Sequence, residues 1–165
     1  MKKALKLTLF WIVQVTWGLL DNILGLFLFI ALIARYGFAK LFKHKKADHY
    51  KPQRFHQMIY FKVGGPAWGG FNCGFVAVTD TTPTNKLLRH EHGHFIQNFY
   101  FGPFMPFIQL ASAIRYGYRK YLSKHNPKKY AMLPGYYDIW FEKQASELGD
   151  KYFLTKPLAK MRGKE

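Results

Sequence analysis

The sequence is poor in cysteine and in acidic residues. Cys73 is the only cysteine among 165 residues, so no disulfide within the chain can hold the fold, and the chain suits a reducing compartment. Asp and Glu together number 9 against 25 Lys and Arg, which gives a formal charge of +16. Such a chain attracts anionic partners, among them lipid headgroups and nucleic acid.

The sequence also lacks internal repeats, heptad runs and low-complexity tracts. Its length suits one domain with a modest core and excludes a second catalytic domain. Aromatic residues are plentiful, at 19% of the chain. This aromatic excess, combined with the positive charge, suits a membrane interface better than a small soluble core. We therefore rank an anionic lipid membrane first among the partners and nucleic acid second.

Residues 7–33 form an apolar segment long enough to cross a bilayer once. Its polar exceptions are Gln14, Thr16, Asp21 and Asn22. Because a carboxylate at mid-membrane depth is costly, the sequence favours two shorter helices that form a re-entrant or interfacial hairpin turning near Asp21. A single span is the alternative. A cleaved signal peptide is disfavoured, since no small-x-small cleavage site follows the segment.

Basic residues flank this segment on both sides, and they predict its orientation. A hairpin would put both flanks on the cytoplasmic side, and a single span would put the longer carboxyl-terminal part there, because that flank carries more charge. We therefore expect a membrane-associated protein whose residues 1–42 are embedded or interfacial. The flanking residues are Lys2, Lys3 and Lys6 before the segment, and Arg35, Lys40, Lys43, Lys45 and Lys46 after it.

Residues 43–165 predict a compact α+β domain that is mainly helical. After a basic linker over residues 43–54, the aromatic and β-branched stretches 57–63 and 71–79 predict two strands of a small sheet. Residues 83–101 predict a helix capped by Thr82 and stopped by Gly102-Pro103. The stretch 104–121 is apolar and turns basic, which is typical of a helix entering or leaving the headgroup layer. Residues 123–129 predict a loop and residues 137–149 a further helix.

The motif H-E-x-x-H is formed by His90, Glu91 and His94, within the predicted helix 83–101. Residues four apart lie on one helical face, so both imidazoles can bind one metal ion. Glu91 then falls beside the metal, where a general base for a metal-bound water must lie. His92 points away from that face and is expected to be packed or hydrogen-bonded.

Gly93 lies inside the same helix, where glycine costs about 1 kcal/mol relative to alanine. A close backbone contact or the approach of a substrate would compensate for this cost. The alternative is that the helix forms despite this cost, with no compensating contact at Gly93.

A catalytic zinc site usually has a third protein ligand, and four downstream residues are candidates. They are His125, Asp138, Glu142 and Glu147. His125 lies among lysines in the predicted loop, a poor place for a cation. Glu142 is favoured, because it lies on a good helical stretch with the small residue Ala145 on the same face, which allows a close approach to the motif helix. Glu147 lies well round that helix and is expected to face solvent.

His90-Glu91-x-x-His94 followed by Glu142-x-x-Ala145 resembles the gluzincin metallopeptidases, especially the membrane-associated type related to CAAX-processing and heat-shock membrane proteases. The resemblance implies a zincin-like pair of packed helices, one zinc ion held by His90, His94 and Glu142, and Glu91 as the catalytic base. The family's second motif reads E-x-x-A-D, and Ser146 replaces the Asp. A hydrogen bond to a ligand histidine is therefore missing or supplied otherwise.

A further likeness, to a group of small bacterial membrane-associated proteins, covers most of the chain. It implies a location at the inner membrane of a bacterium, but no substrate. It is carried by the residues Gln14, Trp17, Asn22, Gly25, Asp80, His90 to Gln97, Gly102-Pro103, Ser112, Tyr136-Tyr137, Glu142-Lys143 and Ala145.

The expected function is zinc-dependent hydrolysis of peptides or membrane proteins at the membrane surface. An oxyanion donor is also expected, with Tyr136, Tyr137 and His92 as candidates, and the strand 71–79 could hold an extended peptide if it lies at a sheet edge. Two rivals remain open. A non-enzymatic membrane protein could retain the metal-binding fold, an option raised by Ser146, and a basic nucleic-acid-binding protein would account for the charge.

Overall fold

The structure is a computed structural model that describes residues 2–45, 47–65 and 68–154. It is mainly helical with one small sheet, as the sequence predicts. The helices are α1 (Lys2–Thr16), α2 (Leu19–Leu41), α3 (Asn85–Phe101), α4 (Met105–His125), α5 (Pro127–Ala131) and α6 (Trp140–Leu154). The strands are β1 (Gln53–Phe55), β2 (Met58–Lys62), β3 (Gly70–Cys73) and β4 (Val76–Thr79). Short 3₁₀ helices cover Ala47–Tyr50, Gly102–Phe104 and Tyr136–Asp138.

The amino-terminal segment consists of two helices, and the chain turns at Trp17 and Gly18, just before Asp21. We expected two shorter helices, but α2 has 23 residues and is long and apolar enough to span a membrane by itself. Most of its large apolar side chains are exposed. Among the residues that the structure describes, one helix, α2, is thus long and apolar enough to span a membrane.

Asp21, the charge that made a simple span costly, is fully buried in the first turn of α2. Its Oδ2 accepts a hydrogen bond from the backbone N–H of Gly74 at 2.8 Å, at the turn between β3 and β4. Gly74 has a φ of +55°, which glycine adopts without strain. A side chain at Gly25 would meet the Cys73 carbonyl, so α2 lies directly on this turn. The carboxylate is therefore satisfied by protein rather than exposed to lipid.

The sheet has four strands in the order β1-β2-β4-β3. The pairs β1–β2 and β3–β4 are antiparallel and β2–β4 is parallel. The predicted strand 57–63 corresponds to β2, but the prediction of one strand over 71–79 is wrong, because the chain reverses at Gly74 and forms a hairpin. β1 begins at the end of the predicted linker 43–54 and is a strand that the sequence did not predict. The hairpin leaves β3 at the edge of the sheet.

The ends of several helices differ from the predictions. The predicted helix 137–149 corresponds to α6, which begins only at Trp140, after the 3₁₀ turn Tyr136–Asp138, and extends to Leu154. Thr84, not Thr82, caps α3, and its hydroxyl accepts the hydrogen bond of the Leu87 N–H. Gly102 ends α3 as predicted, with a φ of +48°. The predicted loop 123–129 is wrong, since α4 continues to His125 and α5 begins at Pro127. Asn126 alone separates them and caps α5.

α3 and α6 cross in direct backbone contact. A side chain at Gly93 would overlap the carbonyl group of Ala145, and one at Gly149 would overlap that of Arg89. The expected close contact at Gly93 is therefore present, and Ala145 is the small residue opposite it. This crossing places the middle of α3 beside the first turns of α6.

We predict that Gly93→Ala destabilises the protein by at least about 2 kcal/mol, because the added methyl group must push the two helices apart. Gly117→Ala is the matched control. Gly117 lies in α4 with nothing near its missing side chain, so alanine there should stabilise by about 0.5–1 kcal/mol. Denaturation of the two purified variants in detergent measures the difference. Equal stability of both variants would contradict the contact.

Candidate metal centre

α3 and α6 bring His90, His94 and Glu142 together. One ligand atom from each of these side chains lies within 4.8 Å of those from the other two. His90 Nε2 is 3.1 Å and His94 Nε2 is 3.4 Å from Glu142 Oε2. His90 and Glu142 are buried and His94 nearly so. The three side chains predicted as ligands thus form a group that can hold a metal ion.

The other candidates for the third ligand lie elsewhere. Asp138 accepts a hydrogen bond from the Gly135 N–H, and Glu147 forms a long, exposed ion pair with Lys143. His125 is at the exposed end of α4, where its ring stacks on Tyr121. Within residues 2–45, 47–65 and 68–154, no other group of three such side chains could hold a metal ion.

Ser146 forms a hydrogen bond with Nδ1 of His90, the ring nitrogen that does not face Glu142. His90 Nδ1 is 2.9 Å from Ser146 Oγ, and that hydroxyl donates its proton to the carbonyl oxygen of Glu142 at 3.2 Å. Ser146 can therefore only accept from His90, which requires a proton on Nδ1 and leaves the Nε2 lone pair facing Glu142. Ser146 thus makes the kind of hydrogen bond that the Asp of the E-x-x-A-D motif was expected to make.

The outer nitrogen of His94 is held by Gln97 in the same way. His94 Nδ1 is 2.8 Å from Gln97 Oε1. The amide of Gln97 cannot be reversed, because its Nε2 donates at 2.7 Å to the carbonyl oxygen of Phe141, which only accepts. His94 therefore also carries its proton on Nδ1 and presents the Nε2 lone pair. Sequence reasoning assigned no role to Gln97, although its position three residues after His94 places it one turn further along α3.

The second oxygen of Glu142 is held from α4 and from the 3₁₀ turn Tyr136–Asp138. The Ser112 hydroxyl donates to Oε1, and the Tyr136 hydroxyl is 3.2 Å from the same oxygen. The two hydroxyls are 2.6 Å apart. Oε1 is therefore fully engaged, and Oε2 is the oxygen turned toward the histidines.

These contacts leave three electron-pair donors facing one another. Glu142 Oε2 is buried and accepts no hydrogen bond from the described residues, while both Nε2 lone pairs converge on it. Such an arrangement is repulsive in a site without water, unless a cation or an additional proton lies between the donors. Two imidazoles and a carboxylate with fixed outer hydrogen bonds fit a divalent metal ion.

The pKa values of the three groups agree with this reading. Burial opposes the charged form of Glu142, but His90 and His94 outweigh burial and hold the pKa of Glu142 well below its usual range. Burial also disfavours the charged form of His94, yet Glu142 and Glu91 outweigh it and raise the pKa of His94. Burial lowers the pKa of His90. As the pH falls, His94 is therefore the first of the three groups to bind an extra proton, which then competes with a metal ion.

Glu91 is buried beside this group, and one of its oxygens, Oε2, has no hydrogen-bond partner among the described residues. Gly70 of β3 lies against the carboxylate, and any side chain at that position would overlap it. Burial raises the pKa of Glu91 to about 7. The predicted base thus occupies a buried position beside the candidate ligands.

A cleft of about 660 Å³ opens onto the candidate ligands and Glu91. One wall is the edge strand β3 with Trp68 and Gly69 before it, and the other is α4. The α4 wall includes Arg119 and Lys120, and other lining residues are Leu28 of α2, Val78, Tyr130, Tyr136 and Tyr137. The ligands are therefore reachable by a substrate laid between β3 and α4.

The three candidates for an oxyanion donor have different surroundings. His92 is fully buried away from the cleft, with Nε2 at 3.2 Å from Gln57 Oε1 and its ring against Tyr152 and Phe153, as expected for a packed histidine. The Tyr136 hydroxyl is engaged with Glu142. Tyr137 lines the cleft, is half exposed, and places its ring edge-on to that of His90 at 5.1 Å. Tyr137 is the remaining candidate.

Comparisons with known proteins add nothing to this geometry: scans of protein-family models, of curated proteins and of solved structures each find no match. The resemblance to gluzincins therefore remains a prediction from the two short motifs.

We predict that the ligand set determines metal affinity. His94→Ala and Glu142→Ala should abolish tight zinc binding, and Ser146→Ala should weaken it about 10–100-fold by freeing the ring of His90. Ser123→Ala is the matched control, because that exposed hydroxyl contacts only a backbone carbonyl of α4. Competition with a chromophoric chelator measures the affinities. A full zinc complement in Glu142→Ala would refute the third ligand.

We predict a pH-dependent gain in stability for Glu91→Gln in metal-free protein. The folded state holds the proton of Glu91 up to about pH 7, whereas the unfolded chain releases it near pH 4.5, so this group costs stability as the pH rises between these values. Glutamine does not titrate. The variant should therefore gain on the wild type across this range, by up to about 3 kcal/mol at pH 8.

Denaturation of both proteins with chelator present, at several pH values, measures this gain. The exposed Glu147→Gln is the control and should show no such trend. A difference between Glu91→Gln and wild type that does not change from pH 4 to pH 8 would contradict the burial of an ionisable Glu91.

Proposed function

We propose that the protein is a membrane-associated zinc metallopeptidase in which Glu91 is the general base. The observation that carries the proposal is the position of Glu91: a buried carboxylate with an unpartnered oxygen, next to a His-His-Glu group, at the base of an open cleft. A purely structural metal site needs neither a neighbouring base nor access from a cleft.

The donor set favours zinc. Two imidazoles and one carboxylate are the ligands of a common type of catalytic zinc site, in which a fourth position is left for water or substrate. Bound there, zinc would supply a Lewis acid that acidifies water and polarises a carbonyl group. Glu142 and the two histidines hold it, while Ser146, Gln97 and Ser112 keep those ligands in place.

Glu91 is the proposed group that takes the proton of the attacking water. A carboxylate whose pKa is about 7 accepts a proton from the attacking water near neutral pH and can return it to the leaving amine. Gly70 supports this role, because the absence of a side chain there leaves room for the carboxylate beside β3. Tyr137 is the proposed hydrogen-bond donor to the oxygen that becomes negatively charged, since it lines the cleft next to His90.

β3 is the proposed binding site for the backbone of an extended peptide. It is an edge strand, so its outer backbone groups can pair with a substrate strand. Trp68 and Phe71, which are about two-fifths exposed, line the same wall and offer apolar surface to substrate side chains. This arrangement favours a peptide over a small polar substrate.

Membrane association rests on α2, which is long and apolar enough to span a bilayer. Leu28 of α2 also lines the cleft, so the site adjoins the membrane segment. We therefore propose membrane-bound proteins or peptides as substrates, with the cleft on the cytoplasmic side as the basic flanks predict.

The non-enzymatic rival was suggested by the replacement of Asp by Ser146. The hydrogen bond between Ser146 and His90 supports the enzymatic proposal over this rival, because the ring of His90 keeps a partner despite the replacement. Nucleic acid stays a weaker proposal, supported only by charge.

We predict that Glu91→Gln lowers peptide hydrolysis about 10²–10⁴-fold, the usual contribution of a general base, while zinc content is unchanged. Glu147→Gln, an exposed change on α6, should keep full activity. Full-length protein in detergent or bilayers is assayed on a broad panel of peptides and membrane proteins, with zinc measured in parallel. A wild type that cleaves nothing on the panel, or a Glu91→Gln variant as active as wild type, would refute the proposal.

A further inference from the structure

The surface of α4 that faces away from the cleft is apolar and exposed. Its large side chains recur every three or four residues, so they form one stripe along the helix. They are between 43% and 65% exposed, although a folded protein normally buries such a row. We call this row the α4 stripe: Phe107, Leu110, Ile114, Tyr118 and Tyr121.

The opposite face of the same helix lines the cleft. Ile108, Ser112 and Tyr116 belong to that face, and each lies roughly half a turn from its neighbours in the stripe. One side of α4 therefore lines the cleft at the candidate metal centre, and the α4 stripe on the other side is exposed to the surroundings of the protein.

The charge around the stripe indicates what that occupant is. From residue 92 to residue 137 the sequence contains no Asp or Glu, but it contains six cations. A second copy of the chain would bring the same positive charges to the contact, which disfavours self-association. Nucleic acid would match the charge but would leave the apolar row unburied. An anionic bilayer satisfies both, with acyl chains for the stripe and headgroups for the cations. The cations are Arg115, Arg119, Lys120, Lys124, Lys128 and Lys129; Arg119 and Lys120 line the cleft side of α4, and the other four are left for headgroups.

The order of residues along α4 agrees with such a surface. Its first half carries Phe107, Leu110 and Ile114 without any charge, and its second half carries Tyr118 and Tyr121 among the cations. Aliphatic residues and phenylalanine suit the acyl boundary, whereas tyrosine and basic residues suit the headgroup level.

We infer that α4 is a second membrane contact, separate from α2: it lies in the surface of an anionic bilayer with the α4 stripe immersed. The cleft on its other side then opens next to the headgroup layer. The inference concerns lipid contact alone and does not require that the protein be a peptidase.

Fluorophores attached to single introduced cysteines test the inference in the full chain. Ile114→Cys places the label in the stripe, and Glu147→Cys places it on an exposed site of α6. Cys73 is buried, and the unsubstituted chain reports any background labelling. Both proteins are reconstituted into phosphatidylcholine vesicles, with and without about one part in three phosphatidylglycerol, that also contain a lipid-borne quencher.

In the anionic vesicles, the lipid-borne quencher should reduce the emission of the Ile114 label at least about two-fold more than that of the Glu147 label. The difference should shrink in neutral vesicles, because the cations of α4 then lose their partners. Equal quenching of the two labels would overturn the inference. Shielding of the Ile114 label from aqueous iodide without quenching by lipid would also overturn the inference, because a second copy of the chain would then cover the stripe. Shielding that occurs only when RNA is added would overturn it in favour of nucleic acid.

Discussion

The site depends on the direct contact between the backbones of α3 and α6. At Gly93 the helices approach so closely that no side chain fits against the carbonyl group of Ala145, and Gly149 repeats this contact one turn further along α6. Only at this separation can Glu142, on α6, reach the two histidines of α3. The glycine that weakens α3 as an isolated helix is thus the residue that makes a three-ligand group possible.

A second buried network fixes the other end of α3 to the amino-terminal hairpin. Gln14 of α1 is fully buried, donates to the carbonyl oxygen of Phe95, and accepts from Asn98 and from Asn22. Removal of one member would leave buried polar groups without partners, which costs more than the hydrogen bond itself contributes. The apolar hairpin is therefore joined to α3 by specific polar contacts as well as by chain connection.

The sequence predicted what short-range patterns encode. Spacing of four residues placed His90 and His94 on one face, and the small residue Ala145 pointed to Glu142. The strand order could not be predicted, because β3 and β4 read as one apolar run until Gly74 is known to adopt a positive φ. Ser112 was also out of reach as a contact of Glu142, since it comes from a third helix and no local spacing relates the two. The hydrogen bond of Ser146 could be predicted only in part. The sequence shows that Ser146 replaces the Asp of the motif, but only the crossing of α3 and α6 shows that its hydroxyl reaches His90.

α4 connects the candidate metal centre with the surface proposed to meet lipid. Ser112, which donates to Glu142, lies between Leu110 and Ile114 of the stripe, within about one turn of the same helix. Any contact that fixes the position of the stripe therefore also fixes the position of the Ser112 hydroxyl. In the proposed arrangement, a bilayer that holds α4 would keep Glu142 Oε1 occupied and Oε2 turned toward the histidines. Contact with the membrane and the order of the ligand set are then two consequences of one rigid helix.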